Sequence, residues 1–173
     1  MKEINISPRL LSAADFVRQD AILADIGTDH AYLPLFLLSE GRIKKAFCSD
    51  VNEGPLASAR ANADAAGLLD RVEFTLADGA DALSGRGITD YAICGMGGEL
   101  ISDIVSRIGI AHSASLNSKK SGLLFYSLCV FVSRERIDLD VKFFCDVNSL
   151  LADRACRAQN DHSWFFICHF NFP

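Results

Sequence analysis

Four acids, Asp25, Asp29, Asp50 and Asp78, and a glycine cluster at Gly95, Gly97 and Gly98 recur through the first hundred residues, each at or just past the end of an apolar run. The first group lies in ADIGTDHAYLP (24–34), which begins like the glycine loop of a nucleotide site. Gly27 lets the chain turn sharply and lets a ligand approach the backbone. A pyrophosphate would need more bare backbone amides at the helix start, as in GxGxxG. This loop supplies Asp29, His30 and Tyr32 instead, and an added carboxylate repels a diphosphate while attracting a cation.

A cofactor with a sulfonium and an ammonium beside its ribose, S-adenosyl-L-methionine, meets that requirement, with Asp25 and Asp29 near its charged end. Asp50 lies 25 residues after Asp25, where an acid can accept both ribose hydroxyls; a strand-end Asp is also a common turn former. Asp78-Gly79 in ADGAD (77–81) suits the exocyclic amine of an adenine, with small neighbours leaving room for the ring, or an ordinary turn. In CGMGGE (94–99), three glycines around Met96 make a floor for a flat ligand, and close strand-to-helix packing explains two of them more easily than three. His30 fits either a proton acceptor or a structural hydrogen-bonder. Arg42, Lys44, Lys45 and Arg60 are candidates for a phosphate-contacting rim, against the commoner alternative of solvated charges.

These residues need a frame that brings strand ends together. AILADI, KAFCSDV, VEFTLAD and DYAICGM read as strands. Between them, LPLFLLSE is a short helix with Pro34 in its first turn and Gly41 closing it. A second helix opens at Pro55, buries Leu56, Ala59, Ala63 and Ala66, and stops at Gly67. GELISDIVSRIG has helical spacing, as does an N-terminal segment through Leu10, Leu11, Ala14 and Val17. The alternation predicts an α/β fold, a mostly parallel sheet with helices on both faces, whose ligands bind at the carboxyl ends of the strands.

With 173 residues, half of them hydrophobic, the chain suits one domain over 1–173. No apolar run reaches the roughly 18 residues of a membrane span, and MKEINISPRLL lacks the layout of a secretion signal, so a cytoplasmic protein is expected. The six scattered cysteines form no CxxC pair, and His112, His162 and His169 have no metal-ligand spacing. The net charge of −5 argues against indiscriminate nucleic-acid binding. Residues 1–109 hold ten of the 17 basic and sixteen of the 22 acidic residues, so the acid concentrates with the candidate ligand loops. Beyond Gly109 the pattern degrades: GLLFYSLCVFV and SWFFICHF are strand candidates, and the stretch between them has no clean period.

Taken in order, SPRLL, ADIGTDHAYLP, SDVNEGPLASAR, ADGAD and CGMGGELI resemble the successive motifs of the bacterial S-adenosylmethionine-dependent tRNA methyltransferases that modify N1 of adenine 22. The resemblance covers residues 5–108 and implies a Rossmann-like class I methyltransferase domain acting on tRNA. By it, Asp25, Gly27, Asp50, Asn52, Asp78 and Gly79 hold the cofactor, and His30, Val51 and Gly95 are expected beside them. Arg9, Tyr32, Met96, Gly97 and Gly98 meet the substrate, and Asp29 stands beside the transfer site. Members of that family usually continue into a C-terminal helical hairpin or coiled coil; no such heptad segment follows Gly109 here. Two alternatives accompany this expectation: a nicotinamide-dependent oxidoreductase using the same strand and Asp50, and a shortened homologue that binds cofactor without catalysis.

Overall fold

The computed structural model describes residues 4–79, 81–83, 85–97, 100, 101 and 103–108, and the strands at 127–129, 143–145 and 164–169. Helix α1 (Pro8–Ala14) starts where the Ser7 side chain accepts the Leu10 N–H, with Pro8 needing no partner for its missing donor. Strand β1 (Ala21–Ile26) is buried on both faces, as the centre of a parallel sheet requires. Helix α2 (Tyr32–Ser39), strand β2 (Ile43–Asp50), helix α3 (Glu53–Ala66), strand β3 (Val72–Leu76) and strand β4 (Asp90–Met96) follow. Helical residues at 100, 101 and 103–108 form α4.

The caps explain the helix ends. Past α2, Gly41 adopts φ +64, and the N–H groups of Gly41 and Arg42 bond back to the carbonyls of Leu38 and Leu37. Gly67 ends α3 in the same way, at φ +69.

Strands run in the order β3-β2-β1-β4 and are parallel; β7 (Trp164–His169) closes the sheet antiparallel to β4. A separate antiparallel pair joins β5 (Ser127–Cys129) to β6 (Phe143–Cys145). Side chains alternate across the main sheet. Leu23, Ala46, Cys48 and Ala92 pack with α1, α2 and α3 on one face, while Ala24, Ile26, Phe47, Tyr91 and Ile93 pack with Ile101, Ile104, Val105 and Ile108 of α4 on the other. Helices thus cover both faces, and the fold is the Rossmann-like class expected. Because the chain moves outward through β2 and β3 and then returns to the other side of β1, the crevice between β1 and β4 is the topological switch point.

Two sequence expectations change. Along α1, Leu11 is exposed while Ala13 is buried, so the inward face is shifted from the one the spacing suggested. The basic residues do not gather at the ligand end. Arg42, Lys44 and Lys45 sit before or at the start of β2, at the far end from Asp50, and pair with Asp15, Asp20 and Glu73 respectively, while Arg60 lies over the Phe74 ring. Among the described residues, no helix is long and apolar enough to cross a membrane. The expectation for residues 110–173 as one tail lies largely outside the described residues. Within it, SWFFICHF contains β7 and GLLFYSLCVFV contains β5, whereas β6 had no sequence signal.

Candidate active site

The carboxyl ends of β1 to β4 carry the residues singled out by their chemistry. Asp25 is the penultimate residue of β1, 6% exposed, and accepts a hydrogen bond from Thr28 Oγ1 at 2.6 Å. Burial pushes its carboxyl up to about 6 from an ordinary 3.8; the Thr28 bond opposes the rise, and the charges of Asp29 and Asp50 add to it. Asp29 and Asp50 are therefore near enough for Asp25 to feel their charge. Asp25 in turn raises the neighbouring thiols of Cys48 and Cys94, whose own burial is the larger cause, so both are poor nucleophiles.

Gly27 turns the chain at φ +70, and the N–H groups of Gly27 and Thr28 both donate to the Ser49 carbonyl, at 2.8 and 2.9 Å. Loop one is thus fastened to the end of β2. Two consecutive non-glycine residues, His30 (φ +60) and Ala31 (φ +56), then hold left-handed backbone, which costs of order 1–2 kcal/mol per residue. Asn62 of α3 holds the strained turn by donating to the His30 carbonyl at 3.0 Å. The outcome is an outward display: Asp29 is 82% exposed with His30 Nε2 at 3.1 Å from its Oδ1, and the Tyr32 ring, also exposed, lies 5.5 Å from the imidazole.

Asp50 ends β2. One oxygen accepts the Asn52 N–H at 2.8 Å, so the turn-forming role expected of such an Asp is real, and its backbone carbonyl accepts from Ala77 at 2.9 Å. Val51 is exposed beside it. Ser49 Oγ reaches the Gly79 carbonyl at 3.3 Å, which draws the third loop to the second. Asp78 points outward and takes Arg107 Nη2 at 3.3 Å.

At β4 the register pairs Cys94 with Phe165 and Met96 with Trp164, so Gly95, at φ +77, is the extra residue of a bulge. The bulge re-aims the strand end at the switch point, and the Met96 methyl comes to rest over Gly27. A Cβ at position 27 would stand 2.0 Å from it. Gly97 is exposed and its carbonyl starts α4 by accepting the Ile101 N–H. Arg9, on α1, is exposed, and its charge acts on Cys94 at the end of β4. Gly98 lies outside the described residues.

The frame thus gathers Asp25, Gly27, Asp29, His30, Asp50, Val51, Asn52, Asp78, Gly79, Gly95, Met96 and Gly97 at one end of the sheet. Sequence reasoning passed over Thr28, Asn62 and Arg107. A hydroxyl three residues past Asp25 was a readable cue for Thr28; Arg107 lies 29 residues from its partner and offered none.

A buried acid, two further acids at successive strand ends and a bare left-handed glycine suit a ligand with a cationic group and a ribose better than one with a diphosphate. A family model described as "Methyltransferase domain" matches residues 6–121. Over 105 residues the chain is 32% identical to the tRNA (adenine(22)-N(1))-methyltransferase of Bacillus subtilis (strain 168), a match that takes in 61% of this chain and 44% of that protein. The chain therefore spans less than half the length of this curated relative. A candidate tRNA (m1A22) methyltransferase of Streptococcus pneumoniae, solved in complex with S-adenosyl-L-methionine, is 29% identical at TM-score 0.66, over 96% of this chain and 73% of that one. A Streptococcus agalactiae protein of the NADB-Rossmann superfamily is 27% identical at TM-score 0.66, over 97% and 70% of the two chains.

Proposed function

Because the chain belongs to the methyltransferase-domain family, we propose that it transfers a methyl group from S-adenosyl-L-methionine to N1 of an adenine in tRNA, in the cytoplasm. The observation that carries this proposal is the placing of Asp25 and Asp50 at the carboxyl ends of the neighbouring parallel strands β1 and β2, with Asp29 in the loop that leaves β1, in a chain whose similar proteins include an adenine-22 N1 methyltransferase. Family membership leaves the nicotinamide alternative without support.

The residues present fit the cofactor. Buried Asp25 is uncomfortable as a lone carboxylate, and a bound cation relieves that discomfort. Asp29 adds to the negative field at the same end. Asp50 keeps one oxygen for a ribose hydroxyl while the other holds the Asn52 amide. Val51 offers apolar contact to a purine, Asp78 and Gly79 serve its amine edge, and Gly27 and Gly95 allow close approach. Bound cofactor supplies an electrophilic methyl group on its sulfonium.

Adenine N1 carries a lone pair and no proton at neutral pH, so attack needs no strong base, and alignment provides most of the acceleration. Positive charge moves onto the adenine as the methyl arrives. Asp29, oriented by His30 at 3.1 Å, stabilises that charge or accepts a proton from the exocyclic amine. Tyr32 supplies a face for the base, Met96, Gly97 and Gly98 form the floor beneath it, and Arg9 contacts the RNA backbone. We keep 1–173 as a single methyltransferase domain.

Incubation with methyl-labelled cofactor and unmodified tRNA tests the proposal. Label in tRNA is expected; cofactor binding by calorimetry with no label in any tRNA would reduce the protein to a cofactor-binding module.

A further inference from the structure

The third loop is held by an arginine of helix α4. Arg107 of α4 reaches down to Asp78 with two arms: Nη2 to the carboxylate Oδ1 at 3.3 Å, and Nη1 to the backbone carbonyl at 3.5 Å. Gly79 is left-handed at φ +67, and a Cβ there would stand 3.1 Å from Nη2 and 3.4 Å from Cζ. The glycine thus leaves the space that the guanidinium fills. One turn earlier on the same helix, Asp103 Oδ2 lies 3.4 Å from Arg107 Nε and steers the side chain toward the loop. A planar fork that grips a carboxylate and the carbonyl of the same residue fixes that residue's side-chain torsion, which a point charge does less well.

Asp78 is itself 72% exposed on its side chain, and an exposed carboxylate would otherwise sample several rotamers. Arg107 takes Oδ1 and, among the described residues, nothing takes Oδ2. The gripped side chain therefore presents one oriented acceptor toward solvent at the end of β3. Resting on the cofactor assignment made above, we infer that Arg107 is a positioning residue: it aims Asp78 at the exocyclic amine of the cofactor's adenine and so sets the preference for a 6-aminopurine. A fixed acceptor rewards an amine donor and opposes a carbonyl oxygen at the same place, and loosening the acceptor weakens both effects.

The test is calorimetry with two probes, S-adenosylhomocysteine and S-inosylhomocysteine, which differ in bearing an amine or an oxygen at C6. Wild type is expected to prefer the adenosyl compound. Arg107→Ala should lose about tenfold in affinity for it while holding the inosyl compound no less tightly than wild type does, and Arg107→Lys should fall between. Equal losses for both probes would make Arg107 a mere structural staple, and no loss for either would remove it altogether; each overturns the inference. Circular dichroism checks the fold, and if the alanine variant does not fold, Arg107→Lys carries the same contrast at smaller size. Failure of wild type to bind the adenosyl probe would instead overturn the cofactor assignment on which the inference rests.

Discussion

Replacing Asp25 by Asn should make the protein more stable and weaken its hold on the cofactor. Asp25 is 6% exposed and shares its surroundings with Asp29 and Asp50, and burial pushes its carboxyl up to about 6 from 3.8. The fold therefore favours the protonated form. Stability is highest below 3.8 and is lost as pH rises through about 6, where the native state gives up a proton that the unfolded chain gave up earlier. A rise of that size corresponds to roughly 3 kcal/mol at neutral pH. Asparagine keeps the shape and an acceptor for Thr28 Oγ1, which lies 2.6 Å from Asp25 Oδ2, and carries no charge. In a chain of this length the gain corresponds to a melting temperature higher by roughly 5–10 °C. Thermal unfolding of both proteins between pH 5 and pH 8 checks this: the curves should diverge as pH rises toward 6 and run parallel above it. A variant that melts below wild type at pH 7.5, or tracks it at every pH, would refute the reasoning. The same substitution should cost S-adenosylmethionine affinity by a factor of about ten to a hundred, since it removes a charge-assisted contact. In wild type that affinity should fall as pH drops through about 6.

Asp29→Ala should leave cofactor affinity nearly intact and lower turnover by about a hundredfold or more; steady-state assays that find turnover unchanged would remove Asp29 from the mechanism. Gly27→Ala places a side chain at φ +70 and against the Met96 methyl, so it should cost about 1 kcal/mol in urea unfolding and weaken cofactor binding by displacing Met96. Arg18→Met strips the guanidinium from the fully buried Asp90, which it meets at 2.9 Å. It should destabilise the fold by about 3 kcal/mol, visible as a lower urea midpoint without loss of cofactor specificity.

The parts of the fold that were legible share a cause. AILADI and DYAICGM coincide with β1 and β4 because a strand buried on both faces is written as an unbroken apolar run, and Gly27 marks where the first must turn. Helix ends were legible where a glycine takes a left-handed turn, at Gly41 and Gly67. The face of α1 was misjudged because Leu11 and Ala13 differ more in burial than in type: the small residue goes where the helix meets the sheet. Strand β6 was missed because three residues are too few to show a period. In the site, the acids could be found by their place at strand ends. The strain at His30 and Ala31 could not, because the contact that holds it comes from Asn62 of α3, more than thirty residues away. Arg107 was invisible for the same reason. The supposed basic rim failed on geometry, since residues at the start of a strand cannot serve a site at its end.

The central claim is methyl transfer to adenine N1. Unmodified tRNA incubated with the protein and S-adenosyl-L-methionine, then digested to nucleosides and resolved by mass spectrometry, should yield 1-methyladenosine in proportion to enzyme and time, with about a hundredth as much or less from the Asp29→Ala protein. Methyl label on another atom or another base, or 1-methyladenosine produced equally by Asp29→Ala, would contradict the account.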